Sequence, residues 1–202
     1  MSARIVVLAS GSGTLLQALI DACADGRVPA TIVAVGSDVE YAPALGRASK
    51  VGIPAFACRL ADFADRQAWD AALLGVVRAF EPDLVVSAGF MRILGSAMVD
   101  ALSGRIINTH PALLPAFPGA HAVRDALAYG VTVTGCTVHE IDHGVDTGRI
   151  LAQRAVEVLP DDDESSLHER IKEVERELLV TTIARIAPSL TDPARPDHRR
   201  HA

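Results

Sequence analysis

The chain has 202 residues, half of them hydrophobic and 22% charged, with a net charge of −6, which suits one domain with a sizeable core. No basic run precedes the tail, so a nucleic-acid backbone is not expected as a partner. No stretch approaches a membrane span, and the opening five-residue apolar run is too short for a signal-peptide core.

Aromatic residues make up only 4% of the chain, so the core must rest on Val, Leu, Ile and Ala. The three cysteines, Cys23, Cys58 and Cys136, are scattered, form no disulfide framework, and fit a reducing cytoplasmic setting.

Apolar runs alternate with helical patterns from the first residues. "RIVVLAS" (4–10) is a short β-branched strand ending in the turn "GSG", and Leu16, Leu19, Ile20 and Cys23 then mark one helix face. "TIVAVGS" (31–37) predicts a second strand, "YAPALGRASKVG" a helix stopped by Gly52, and "PAFAC" a third strand. Residues 66–80 place Trp69, Leu73, Val76, Val77 and Phe80 at helical spacing. "DLVVSAG" (83–89) and "RIINTH" (105–110) predict buried strands four and five. The rhythm implies an open, mostly parallel twisted α/β sheet with helices on both faces.

Beyond residue 130, "VTVTGCTVHEI" and, less cleanly, "RILAQRAVEV" (149–158) alternate with period two and predict later strands that are partly antiparallel. A long helix over about 164–187 follows, with Leu167, Ile171, Val174, Leu178, Ile183 and Ile186 on one side. One domain is expected over 1–190. The Pro-rich, charged tail 191–202 is expected to be disordered.

Three segments carry polar chemistry. "ASGSGTLLQALI" (9–20) is a glycine turn between strand and helix, which aims free backbone N–H groups at an anion. Leu16 stands where a dinucleotide fingerprint has its third glycine, so a phosphate monoester fits better. Asp38, ending the second strand, keeps a nicotinamide oxidoreductase open as a rival. In "GRIINTHPALLPAFPGAH" (104–121), a buried strand ends in Asn108–Thr109–His110 before a loop stiffened by Pro111, Pro115 and Pro118. An Asn amide there can hold a developing oxyanion, and a His two residues on points to the same side.

The third segment, "TVHEIDHGVDTGRI" (137–150), contains H-E-x-x-H, the zinc string of helical metalloproteases. Its surroundings are β-branched and alternating. On a strand His139 and His143 would stand roughly 13 Å apart, too far to share an ion, so no metal is expected. His139 is expected to contribute packing rather than chemistry. The loop 142–148 instead offers Asp142 and Asp146 to orient and charge a histidine.

Together "RIVVLASGSGTLLQALIDA", "DLVVSAGFMRILG", "NTHPALLPAFPGAH", "GCTVHEIDHGVDTGRILAQ" and "LHERIKEVERELL" make a chain that resembles the glycinamide ribonucleotide formyltransferases. These are folate-dependent enzymes of purine synthesis, and the resemblance covers nearly everything but the tail. It implies 10-formyltetrahydrofolate as cosubstrate, and it implies Asn108, His110 and Asp146 as the catalytic trio.

Gly13, Thr14 and Leu15 would hold the ribonucleotide phosphate, with Lys172, Glu173, Val174 and Glu175 near the glycinamide end. Arg66, Met91, Arg92, Ile93, Leu94, Asn108 and the loop Asp142, His143, Gly144, Val145 and Asp146 match the folate-binding positions. A homodimer is left open.

Two positions depart from the family pattern. Thr14–Leu15 replaces the usual Ser-Asn, so the phosphate contact is expected from backbone groups. Arg149 stands where a proline is common. Formyltetrahydrofolate hydrolase and methionyl-tRNA formyltransferase are the nearer rivals. They are set aside because the first carries an extra amino-terminal domain and the second an extra carboxyl-terminal one.

Overall fold

The computed structural model describes residues 2–191. In chain order the elements are β1 (Ala3–Leu8), α1 (Thr14–Ala24), β2 (Ala30–Ser37), α2 (Pro43–Lys50), β3 (Ala55–Ala57), α3 (Arg66–Ala79), β4 (Leu84–Ser87), α4 (Ser96–Ala101), β5 (Ile106–His110), α5 (Ala122–Tyr129), β6 (Val133–Glu140), β7 (Ile150–Glu157) and α6 (Glu164–Leu190). Among these residues the strands form one seven-stranded sheet of order β3-β2-β1-β4-β5-β6-β7. The pairs from β3 to β5 are parallel, and β5–β6 and β6–β7 are antiparallel. The expected mixed α/β sheet is therefore present.

Strand alternation sorts the core into two layers. Ile5 and Val7 of β1, Val86 of β4, Ile107 of β5 and Val138 of β6 pack with α1, α5 and α6. Val6, Leu8, Val85 and Ile106 point the other way, onto Trp69, Leu73 and Val77 of α3 and Met98 and Val99 of α4. Both faces are covered, as the near-continuous apolar runs of a parallel sheet require.

The helix ends follow from capping chemistry. Asp65 opens α3 by accepting from the Ala68 N–H at 2.8 Å. Asp163 and Ser166 form a reciprocal capping box at the start of α6. On α3, Trp69, Leu73 and Val77 form the buried stripe, while Val76 lies at its margin, 37% exposed. Helix α6 runs past the predicted end to Leu190 with Thr191 as its cap. The rest of the tail lies outside the described residues. Helices α4 and α5, of six and eight residues, are additions to the predicted elements.

Cys58 and Cys136 are buried, Cys23 is half-buried, and all three are free. Burial, reinforced by the charge of Glu175, pushes the Cys136 thiol up to about 12. Among the described residues no helix is long and apolar enough to cross a membrane.

Candidate active site

The sheet's chain order reverses at β1, which lies between β2 and β4; open α/β sheets bind ligands at the carboxyl ends of strands beside such a point. At the end of β5, alternation decides which residues meet. Asn108 and His110 share the side of Ile106, whereas Thr109 shares that of Ile107 and faces α6. There Thr109 hydrogen-bonds Glu175, which is 5% exposed. Burial pushes the Glu175 carboxyl up, and the bond from Thr109 opposes it.

Antiparallel pairing then sets Asn108 opposite His139 and His110 opposite Thr137. Asn108 Nδ2 lies 3.2 Å from His139 Nε2, and His139 Nδ1 lies 2.9 Å from the Glu140 carbonyl. A carbonyl only accepts, so Nδ1 carries the proton and Nε2 accepts from the Asn108 amide. Burial holds the His139 pKa below its ordinary value, against the Glu140 bond and the Asp146 charge, and so favours this neutral form.

Next along β5, His110 places Nε2 at 2.8 Å from the Phe117 carbonyl and Nδ1 at 3.3 Å from Asp146 Oδ2. Both ring nitrogens face acceptors, an arrangement in which an imidazolium donates twice. Asp146 also lies 3.6 Å from His139 Nε2 and accepts from the Gly119 N–H at 2.8 Å. The predicted trio is therefore assembled, with His139 as a fourth member. His139 is therefore more than a packing residue: its Nε2 is the hydrogen-bond partner of the Asn108 amide.

The loops that carry these groups are pinned. Asp146 and Phe117 have φ of 55° and 54°, a left-handed backbone that costs a non-glycine residue about 1–2 kcal/mol. Thr137 Oγ1 accepts from the Leu114 N–H and donates to the Ala112 carbonyl, and Gln153 donates to the Leu114 carbonyl. Those bonds fasten the proline-rich loop to β6 and β7.

Asp142 closes the turn 142–148 by accepting from the Gly144 N–H and the Thr147 hydroxyl. These bonds, that of Thr147 foremost, hold its carboxyl below the usual carboxylate range. A Cβ at Gly148 would lie 1.8 Å from the Glu140 carbonyl oxygen, so only glycine fits there. Exposed His143 faces Asp100 at 3.0 Å, and exposed Arg149 pairs with Glu140. The H-E-x-x-H string thus begins on a strand and ends in a loop, its two imidazoles engaged with different groups.

At the other end of the site Gly13, φ 70°, caps α1. A Cβ there would meet Ala44 Cα at 2.9 Å, so α2 seals the turn. Leu15 is turned into the core at 8% exposure, leaving backbone groups and Thr14 at the surface. Thr14, Gln17, Arg47, Glu173 and Arg176 line an open cleft of about 520 Å³. The stretch 172–175 divides as a helix must: Lys172 pairs with Glu169, Glu173 lines the cleft, Val174 packs on the core, and Glu175 is buried beneath β5.

The remaining predicted positions converge on the α3–α4 side. Arg66 lies 4.9 Å over the Trp69 ring and donates to the Ile93 carbonyl. Met91 and Ile93 are exposed at 73% and 68%, Val145 at 52%, and Leu94 is buried. Arg92 donates to Asp38 at 2.8 Å. Asp38 is therefore occupied by protein donors, which removes the ribose-binding acid that an oxidoreductase would need.

A Formyl transferase family model matches residues 3–183, and the chain belongs to that family. It is 60% identical to a phosphoribosylglycinamide formyltransferase of Mycobacterium tuberculosis, over 92% of this chain and 85% of that protein. Its structure is similar to a glycinamide ribonucleotide transformylase from Symbiobacterium toebii, with TM-score 0.91, 45% identity, and 93% and 89% of the two chains covered. It is also similar to a formyltetrahydrofolate deformylase from Pseudomonas syringae, with TM-score 0.86, 24% identity, and 94% and 62% covered. That last likeness shows a common fold alone.

Proposed function

We propose that the protein transfers the formyl group of 10-formyltetrahydrofolate to the amine of glycinamide ribonucleotide. The observation that carries this is the cluster Asn108, His110, His139 and Asp146 at the end of β5, at the same carboxyl end of the parallel strands as a helix N-terminus that suits a phosphate. The amine nitrogen attacks the formyl carbon and the carbonyl electron pair moves onto oxygen. Asn108 donates to that oxyanion, with His139 holding its amide in place. His110, with Asp146 beside its Nδ1, takes the proton released by the attacking amine and delivers it to the departing folate nitrogen. The carbon–nitrogen bond of the folate then breaks, leaving formylated ribonucleotide and tetrahydrofolate.

Thr14 and the backbone N–H groups of residues 13–15 hold the phosphate, and Glu173 and Glu175 lie toward the ribose and glycinamide. Met91 to Leu94, Arg66 and the loop 142–146 take the folate. Two ligands fixed side by side make positioning the largest contribution. The reaction so written needs neither a metal nor a covalent intermediate.

Release of tetrahydrofolate by purified protein, strictly dependent on added glycinamide ribonucleotide, tests the reading. Release at the same rate without the ribonucleotide would indicate a hydrolase, the second reading suggested by the deformylase's shared fold.

A further inference from the structure

Both carboxylate oxygens of Asp38, just past β2, are committed to the protein. Oδ1 accepts from the Ser10 hydroxyl, and Oδ2 accepts from Arg92 Nε at 2.8 Å. The Ser10 hydroxyl also accepts from the Met91 N–H at 2.7 Å, and the Ser10 N–H donates to the Gly89 carbonyl at 3.0 Å. These bonds close a ring through the loops that leave β1, β2 and β4, at the point where the chain order reverses.

We propose that Ser10 and Asp38 are positioning residues that couple the two substrate loops, so that each substrate raises the affinity for the other. The inference rests on the proposed function, in which the turn after β1 takes the ribonucleotide phosphate and residues 91–94 take the folate.

The chemistry of the ring favours an all-or-none arrangement. The single Ser10 oxygen both donates and accepts, so displacing either loop strains both of its bonds. Asp38 is 7% exposed, and drawing Arg92 away would leave a desolvated carboxylate without its counter-charge, which is costly. Substrate contact is the poorer role for Asp38: the phosphate and the folate carboxylates are anions that a free acid would repel. With its charge met by Arg92, it acts instead through the loops it joins. A ligand that orders one loop then lowers the ordering cost of the other, and the gain is reciprocal.

Tetrahydrofolate has no formyl group to transfer, so it permits an equilibrium test with both ligands present. Calorimetry of glycinamide ribonucleotide binding, with and without saturating tetrahydrofolate, should give a Kd ratio of at least about fivefold in the wild type, the lower end of ordinary coupling. Ser10→Ala and Asp38→Asn should each bring that ratio to within about twofold of unity.

A merely structural role would lower the melting temperature and weaken both separate affinities while leaving the ratio unchanged. That outcome, or a wild-type ratio of one alongside normal turnover, would overturn the coupling. If Asp38→Asn does not fold, Ser10→Ala, which removes one oxygen, decides the matter alone. Absence of saturable ribonucleotide binding and of formyl transfer in the wild type would instead remove the proposed function, and the coupling with it.

Discussion

Under the proposed function, the turn after β1 grips its ligand with backbone, whereas the seam between β5 and β6 works through four side chains. At the turn, Gly13 and the first amides of α1 present the binding groups, and the Leu15 side chain is buried in the core. At the seam, Asn108, His110, His139 and Asp146 depend on one another for proton placement and orientation. The first region should tolerate changes of side chain but not of backbone shape. The second should tolerate hardly any change of chemical group, even when shape is kept.

The largest expected effects break the seam. Asn108→Ala should cost on the order of 3 kcal/mol in kcat/KM, the loss of one oxyanion donor. Asp146→Asn should lower kcat at least roughly a hundredfold with little change in KM. If steady-state kinetics show either variant above half the wild-type rate, the seam has no such dependence.

His139→Phe keeps a ring of similar size but leaves the Asn108 amide without its acceptor. With that amide free to turn away from the oxyanion, kcat should fall roughly thirtyfold, short of the loss expected when the donor itself is removed. An effect under threefold would return His139 to a packing role.

Smaller effects are expected at the turn. Gly13→Val forces a Cβ onto Ala44 at φ 70° and should raise KM for the ribonucleotide about tenfold with kcat little changed. Leu15→Asn should leave that KM within about twofold while lowering denaturant stability by about 1–3 kcal/mol, because it buries an amide. A raised KM for Leu15→Asn would show that side chains matter at the turn after all.

The pH dependence of stability separates the regions further. The His139 pKa is lowered in the folded state, so the unfolded chain takes up its proton first. Stability should be full above about pH 6.5 and fall as pH drops below it. His168, also lowered by burial, adds to the same slope. His139→Phe should therefore flatten the slope only in part, and an unchanged slope in urea titrations would contradict the neutral assignment. The smallest effect expected is none: prolonged EDTA should leave turnover unchanged, since neither region is proposed to use a metal.

Periodicity made most of the fold legible. β1 to β5 and α6 repeat their apolar pattern over enough residues to be recognised, and the glycine turn and the Asn-x-His strand end carry local chemistry. What the sequence did not disclose is non-local or short. Helix α4, with six residues, spans fewer than two turns, too little for a period to stand out. His139 joins the site only because β6 pairs with β5 in a register that sets it opposite Asn108, thirty-one positions away. The metalloprotease-like string contains His139, but strand pairing and not helical spacing brings it to Asn108. Asp38, legible as an acid at a strand end, finds its partners only where three loops meet.

The pairing of β5 with β6 also bears on how preparations of this protein should be judged. A slip of one residue along that seam would put Val138 or Glu140 opposite Asn108 and turn His139 to the other face of the sheet. Such a chain keeps its helices, so circular dichroism would hardly distinguish it from the native form. Its turnover would nevertheless be strongly reduced, because His139 would no longer hold the Asn108 amide. Specific activity should therefore serve as a census of correctly registered molecules. In refolding trials it should return later than ellipticity, by the time that strand registration takes.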